Sequence, residues 1–198
     1  MNYRVTSLWS ESSILHYTTG RSIFRQGDLV GALYLVKCGC VLVARVTRSG
    51  TRQVSGFLMP GEIFGWETGG EHRYCAESAG NSSIQTFYGE QAAELRRTHL
   101  VPSFALLRDQ LMILSRPTAE ARVAAFLDNL LVRQGSASRI YVPMHRFDIA
   151  DYLGLSPETV SRVLHRLRKL KLIEMPSLHI IVVLDSTGLK RISRLETD

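Results

Sequence analysis

Hydrophobic and polar positions follow two different periods along this chain of 198 residues. Between Tyr17 and about Gln91, short apolar runs are separated by glycine, and apolar residues such as Leu33 and Leu35 lie two positions apart. Period two is typical of strands, and Arg48-Ser49-Gly50 has the composition of a hairpin turn. The pattern predicts a small antiparallel barrel or roll. Residues 1 to 16 show little periodicity, and we expect one short helical piece there.

A helical period returns between about Ala92 and Leu114, where apolar residues are spaced four, three, four and three. This is the spacing of a heptad seam, about two repeats long. Two uses of this face remain open, namely contact with a second copy of the chain and core packing against the roll. The seam residues are Leu100, Phe104, Leu107, Leu111 and Leu114.

Ser115-Arg116-Pro117 interrupts the helical pattern, because proline belongs at a helix start. We place a hinge and a domain boundary there. The elements predicted after it are a helix from Ala119 to Arg133, a strand at Ile140 to Val142, a β-wing formed by Leu172 to Glu174 and Ile180 to Leu184 with its turn at Pro176-Ser177, and a last helix from Asp185 to Leu195.

The stretch from Met144 to Lys171 has the pattern of a helix-turn-helix. A first helix with apolar residues at three- and four-residue spacing reaches Leu153, and Gly154 supplies a residue that tolerates positive φ. Ser156-Pro157 then opens a second helix. The apolar stripe of this second helix consists of Val160, Val163, Leu164, Leu167 and Leu170.

The polar face of the second helix is the candidate functional surface. A guanidinium such as that of Arg162, near the start of a helix in the major groove, can bind guanine O6 and N7. The carboxylate of Glu158, one turn earlier, can accept a hydrogen bond from a cytosine amino group. Ser161 lies on the same polar face. A face that is merely solvated is the alternative.

Other residues of this region suit phosphate rather than bases. A cationic or hydroxyl side chain fixes a protein on the duplex without selecting its sequence. The residues assigned to phosphate contacts are Arg146, Ser156, Thr159, Arg166 and Lys169.

The segment IADYLGLSPETVSRVLHRLRKLKLI resembles the C-terminal domain of the CRP/FNR superfamily of bacterial transcription regulators. Its Glu158-x-x-Ser161-Arg162 is similar to the recognition signature of the FNR and FixK branches. Pro157 stands where the CRP branch carries Arg, so the cAMP-receptor operator is not expected. The resemblance implies a homodimer that binds a palindrome with half-sites like TTGAY, in which Arg162 contacts the guanine and Glu158 and Ser161 contribute the neighbouring contacts. One departure is His145, a poor helix cap where the family has Thr or Ser.

The N-terminal half resembles the sensor domain of the same superfamily. Leu33 to Val36 with Gly39, and Pro60-Gly61-Glu62 with Gly65, fit its glycine frame. Its ligand chemistry does not fit, because Trp66 replaces a glutamate and the later segment lacks the Arg-Ser pair that holds a cyclic phosphate. A buried phosphate without a cation is strongly disfavoured, so we do not expect cyclic-nucleotide binding.

These elements together predict an α+β fold. An N-terminal antiparallel β-roll of the cyclic-nucleotide-binding type, residues 1–91, is joined by a long dimerisation helix, residues 92–115, to a C-terminal winged helix-turn-helix domain, residues 116–198. The partners we expect are double-stranded DNA, a second copy of the chain and RNA polymerase. An activator role is favoured by the FixK likeness, but target genes and signal stay open.

Charge supports a nucleic-acid partner. The formal net charge is +6, and residues 116–198 hold 13 Lys and Arg against 9 Asp and Glu, which is +4, whereas residues 1–115 hold 11 against 9, which is +2. With 45% apolar residues the chain can bury a substantial core. We find neither a long apolar run nor a signal peptide, so we expect a cytoplasmic protein without membrane contact.

Three cysteines, Cys38, Cys40 and Cys75, give an odd count and no disulfide framework. Cys38 and Cys40 flank Gly39 and are expected to point to the same side of a regular strand. Small residues packed in the roll are the favoured interpretation. A redox-sensitive thiol is the alternative, with Cys75 first because of its polar neighbours.

No cofactor or metal is expected, and the FNR-type group of cluster-binding cysteines is missing. Haem binding through His72 or His99 has no supporting pattern. Two other functions stay open, an effector-gated regulator with a ligand in the roll and a small-molecule enzyme of cupin type. For the enzyme, His72, His99, Glu67 and Glu71 are the only candidate ligands, and their spacing is not that of a metal site.

Overall fold

Residues 13–67 and 69–194 are described by a computed structural model of the chain. Eight strands make up the N-terminal half: β1 Ser13–Tyr17, β2 Ser22–Phe24, β3 Ala32–Cys38, β4 Val41–Val46, β5 Arg52–Leu58, β6 Ile63–Phe64, β7 Cys75–Ser78 and β8 Ser82–Tyr88. They form two antiparallel sheets, with strand orders β1-β8-β3-β6 and β2-β7-β4-β5. The predicted β-roll is therefore confirmed.

The C-terminal half is mostly helical. Its elements are α1 Gly89–Leu114, α2 Ala119–Arg133, β9 Arg139–Tyr141, α3 Arg146–Leu153, α4 Pro157–Lys169, β10 Ile173–Ser177, β11 Ile180–Val183 and α5 Ser186–Arg194. A third antiparallel sheet has the order β10-β11-β9 and forms the wing beside α3 and α4. The α+β class and the winged helix-turn-helix are both as predicted.

The structure differs from the prediction in two places. Ser13–Tyr17 is an edge strand paired with β8, although the roll was predicted to begin only at Tyr17. The short helical piece predicted within residues 1 to 16 does not include residues 13–16, and the rest of that stretch lies outside the described residues. The wing turns at Leu178-His179, because Ser177 pairs with Ile180, so Pro176 lies within β10. Proline is tolerated there because β10 is an edge strand, where a missing backbone donor costs no sheet hydrogen bond.

Helix α1 uses its two faces differently. Ala92 and Ile113 are buried, and Leu95 and Leu106 pack against the roll. The five seam residues are more exposed, with fractions from 38% at Leu114 to 62% at Phe104. Three of them, Leu100, Phe104 and Leu107, also border the space between α1 and the roll. The seam therefore faces the roll along part of its length and also leaves apolar surface exposed to solvent.

A continuous core crosses from the roll to the helices. Phe57 of β5, Phe126 of α2 and Tyr152 of α3 form an aromatic cluster, with ring centroids 5.3 to 6.1 Å apart. Such aromatic pairs add stabilisation beyond their buried area. The sheet β2-β7-β4-β5 thus provides the surface against which the helix-turn-helix is held.

Two ion pairs reinforce this contact. The Arg133 guanidinium, on α2, donates to both carboxylate oxygens of Glu62, at 2.8 and 2.6 Å, and to the Phe57 carbonyl. Arg52, on β5, pairs with Glu77 of the roll and with Asp148 of α3. Asp151 also accepts the backbone N–H of Val54 at 2.9 Å. Both α2 and α3 are therefore fixed to the roll.

Candidate DNA-binding surface

The turn between α3 and α4 depends on a glycine. Gly154 has φ 63° and ψ 42°, the left-handed conformation that side chains with a Cβ rarely adopt. Its N–H and that of Leu155 bond carbonyls in the last turn of α3, Asp151 at 3.2 Å and Ala150 at 2.9 Å. The helix therefore stops at Leu153, and the chain is redirected into α4.

The start of α3 is capped from inside the helix. The carboxylate of Asp148 accepts the backbone N–H of His145 at 3.2 Å, which satisfies one donor that the helix leaves open. Asp148 is also the partner of Arg52. His145 is a poor helix cap, and Asp148, three positions later, compensates for it.

Helix α4 begins with a hydroxyl cap. The Ser156 Oγ accepts the Thr159 N–H at 3.1 Å, and Pro157 occupies the first turn, where its missing N–H costs nothing. Val160, Val163, Leu164 and Leu167 are buried on one face. Leu170, predicted to belong to this stripe, is 52% exposed because the helix ends before it.

The three predicted base-contacting residues lie together on the exposed face of α4. Glu158, Ser161 and Arg162 are all exposed. Hydrogen bonds from the Glu158 backbone N–H and the Ser156 hydroxyl, with the Arg162 charge, lower the pKa of the Glu158 carboxyl, so it is an acceptor at neutral pH. The Arg162 guanidinium donates to the Thr159 Oγ1 at 3.1 Å, which turns it toward the start of the helix.

The predicted phosphate contacts differ in how accessible they are. Lys169 is exposed, whereas Arg146 is half-buried, and this burial lowers the pKa of its guanidinium. Ser156 and Thr159 are engaged in capping α4. Arg166 forms an ion pair with Glu120 of α2, at 2.6 Å, so part of its charge is already neutralised.

The cysteines do not form a site. Cys38 is exposed and Cys40 is buried. A shared side was expected only for a regular strand, and the chain is not a regular strand here because β3 ends at Cys38. Gly39, with φ 87°, turns the chain between them. Burial raises the pKa of Cys40 to about 12, and burial together with Glu77 raises the pKa of Cys75. A raised pKa lowers the thiolate fraction, which disfavours Cys40 and Cys75 as redox thiols.

We expect thiol-directed alkylation of the folded protein at pH 8 to modify Cys38 first and Cys75 more slowly. With a pKa of about 12, Cys40 holds a thiolate fraction of only about one in ten thousand at this pH. Peptide mass spectrometry after timed quenching measures the order, and denatured protein gives the reference rates. Labelling of Cys75 as fast as that of Cys38 would contradict this assignment.

A cavity of about 440 Å³ lies between the roll and α1. Its described lining is mostly apolar, with Glu67 as a charged member and without any Lys or Arg. A cyclic phosphate buried there would lack a cationic partner. The apolar side chains that line it include Phe24, Leu58, Phe64, Trp66, Phe104 and Leu107.

Neither His72 nor His99 belongs to a metal-binding group. Within residues 13–67 and 69–194, no three His, Cys, Asp or Glu side chains are grouped so that they could hold an ion. His72 is buried, stacks on Phe24 and bonds Glu67 at 2.9 Å, whereas His99 bonds its neighbour Thr98. In the same described part, no helix is long and apolar enough to span a membrane.

Residues missed by the sequence analysis are those that hold the helix-turn-helix in place. Arg52 and Asp148 are 96 positions apart, and Glu62 and Arg133 are 71 apart. Arg122, on α2, donates to the Leu153 carbonyl at the end of α3. No local pattern marks such pairs, since each partner alone is an ordinary charged residue.

The structure combines a β-roll, a long helix with an exposed apolar seam, and a winged helix-turn-helix with a basic recognition helix. These features together define a DNA-binding regulator. Profiles of the cyclic nucleotide-binding domain and of the Crp-like helix-turn-helix domain match residues 14–98 and 121–192. The chain belongs to the CRP/FNR superfamily of transcription regulators, in its FixK branch.

Individual relatives agree with this placement. The nitrogen fixation regulation protein FixK of Rhizobium meliloti is 38% identical over 177 residues, which cover 88% of this chain and 84% of that protein. The transcriptional activator protein FnrA of Stutzerimonas stutzeri is 33% identical, covering 86% and 76%. The structure of FixK2 from Bradyrhizobium japonicum matches with a TM-score of 0.81 at 29% identity, covering 92% and 97%.

Proposed function

We propose that the protein is a homodimer that binds a palindrome with half-sites of the TTGAY type, Arg162 contacting the guanine and Glu158 and Ser161 the neighbouring bases. The observation that carries this proposal is the exposed face of α4. There an ionised carboxylate and an oriented guanidinium lie within the first two turns of a well-capped helix. Helix termini of this kind present side chains to base edges in the major groove.

The seam on α1 supports dimerisation. Five exposed apolar residues along one helix face are costly in water, and a second copy of the same helix would cover them. A two-fold axis also explains why one recognition helix suffices, since two copies bind the two halves of a palindrome. In this proposal residues 1–91 form the roll, 92–115 the dimer helix and 116–198 the DNA-binding domain.

Phosphate contacts are assigned by accessibility. Lys169 is the most direct candidate, because it is exposed and lies on the polar face of α4. Arg146, Ser156 and Thr159 lie at the starts of α3 and α4, where backbone N–H groups also favour an anion. Arg166 is a weaker candidate for a phosphate contact, because its guanidinium already forms an ion pair with Glu120.

The base and phosphate roles are separated by two substitutions. Arg162→Ala is expected to cost about 1 to 3 kcal/mol of specific binding and to relax the preference at the guanine. Lys169→Ala is expected to weaken specific and random duplexes alike and to reduce the salt slope by about one unit. Titrations of both variants on a selected site and on a random duplex measure the difference. Equal losses on the two duplexes for both variants would refute the assignment.

The proposal also covers the sign of regulation, the protein partner and the compartment. Since its relatives include transcriptional activators, we infer an activator that also contacts RNA polymerase in the cytoplasm. The same relatives support action by binding, without a catalytic step. Selection of bound duplexes from a random pool tests the central point, because it returns half-site, spacing and symmetry together.

A second candidate is regulation by an effector in the roll. The cavity of about 440 Å³ favours it, and its apolar lining selects an apolar ligand over a cyclic nucleotide. A ligand that binds only the folded state raises the melting temperature, so thermal shifts with apolar candidates and with cAMP would distinguish the two ligand classes.

A further inference from the structure

The Arg122 side chain joins two segments of the chain, and this connection has no role in the function proposed above. It lies half-buried in the first turn of α2. Its Nε donates to the Arg116 carbonyl at 2.7 Å, and its Nη1 donates to the Leu153 carbonyl at 3.2 Å. One planar guanidinium therefore joins the connection between α1 and α2 to the turn between α3 and α4.

At the turn, the bond from Arg122 satisfies a carbonyl in the last turn of α3. The N–H groups of Gly154 and Leu155 go to carbonyls earlier in α3, and the Leu153 side chain is fully buried. A buried carbonyl without a donor is costly. Ser156, the cap of α4, follows three residues after Leu153, so the bond from Arg122 is made close to the start of α4.

At the other end, Arg122 contacts the segment that links α2 to the proposed dimer helix. Arg116 precedes Pro117, and its own N–H bonds the Ile113 carbonyl of α1. The segment is thus tied to α1 on one side and to Arg122 on the other. Because a guanidinium is rigid and its donors diverge at fixed angles, both carbonyls are held in one geometry.

We propose that Arg122 is a positioning residue that sets the orientation of α4 relative to α1, and through it the spacing between the two halves of the palindrome. This inference rests on the proposed dimeric function. The ion pairs of Arg133 with Glu62 and of Arg52 with Asp148 hold α2 and α3 to the roll, and the pair of Glu120 with Arg166 joins α2 to α4. Arg122 adds the bonds that fix the turn before α4 to the segment after α1. Without Arg122, this turn is less firmly placed, so the orientation of α4 relative to α1 varies more, while its base-contacting residues stay unchanged.

The test uses the full chain and a palindrome selected by the wild-type protein. Its two half-sites are separated by the selected spacer or by spacers one and two base pairs shorter or longer. For Arg122→Ala we expect about tenfold weaker binding at the selected spacer, in line with the loss of charge-assisted hydrogen bonds. We also expect the preference over neighbouring spacers to fall to within about threefold, since the orientation is no longer fixed.

Arg122→Lys keeps the charge but has one donor nitrogen in place of two held at fixed angles, so an intermediate spacer profile is expected. This variant carries the test if Arg122→Ala fails to fold. Arg25→Ala, which removes an exposed arginine of the roll, is the control for charge and should keep the wild-type profile. A uniform loss at every spacer, or a wild-type profile in Arg122→Lys, would overturn the inference. A failure of the proposed function gives a different result, because in that case the wild-type protein itself shows no spacer preference.

Discussion

Replacing both Phe104 and Leu111 with glutamate is expected to convert the protein to a monomer and to lower its affinity for palindromic DNA by about two to four orders of magnitude. Both side chains lie in the exposed seam of α1, at 62% and 59% exposure. In a dimer each would face its own copy, so the substitution places like charges together in an apolar contact. A monomer then binds a single half-site and loses the contribution of the second.

The oligomeric state is measured by sedimentation and the affinity by titration, on the same samples. Ala105→Glu combined with Met112→Glu adds the same charge to α1 at exposed positions off the seam, and this control should remain dimeric. If the seam variant stays dimeric, or if it becomes monomeric and still binds the palindrome as tightly as the wild type, the dimer proposal is wrong.

Glu62→Ala is expected to lower the free energy of unfolding by about 3 to 5 kcal/mol, because it leaves the Arg133 guanidinium without its carboxylate. The Arg133 side chain is 10% exposed and that of Glu62 is 20% exposed, so water replaces little of the lost interaction. Glu62 also accepts the Met59 N–H at 2.8 Å, and that donor loses its partner as well. The contact between α2 and the roll thereby loses the Arg133–Glu62 ion pair, whereas the pair of Arg52 with Asp148 still holds α3 to the roll.

Denaturant titration followed by circular dichroism measures this loss. Glu94→Ala is the matched control, since its pair with Arg97 is exposed and worth less than about 1 kcal/mol. Glu62→Leu combined with Arg133→Met should recover much of the loss, because an apolar pair avoids the buried, unpaired charge. Equal effects of Glu62→Ala and Glu94→Ala would show that the buried pair does not hold the domains together.

Elements with a strong local pattern were predicted closely. The helix from Ala119 to Arg133 has the bounds that the structure shows, and the turn at Gly154 and the cap at Ser156 are in their predicted places. In each case the signal lies within one or two turns of the chain. A period, a positive φ or a capping hydroxyl acts on its immediate neighbours, so it can be recognised without knowing the fold.

Predictions failed where the outcome depends on a distant partner. Ser13–Tyr17 is a strand because β8 lies beside it, about seventy residues later in the chain. The wing turn was misplaced because Pro176 was taken as a turn residue, although an edge strand also accepts proline. Cys38 is exposed and Cys40 is buried because Gly39, with positive φ, turns the chain between the end of β3 and the start of β4.

The amino-acid sequence by itself determined the class of the protein, the two helices of the helix-turn-helix and the polar face of α4 that carries the proposed base contacts. These follow from periodicity and from short motifs, whose physics is local. The tertiary structure alone decided how that unit is held: Arg52, Glu62, Arg122 and Arg133 become informative only beside Asp148, Phe57 and the Leu153 carbonyl. The reason is that ion pairs and buried carbonyls depend on distance in space, which folding sets and which sequence order does not reveal.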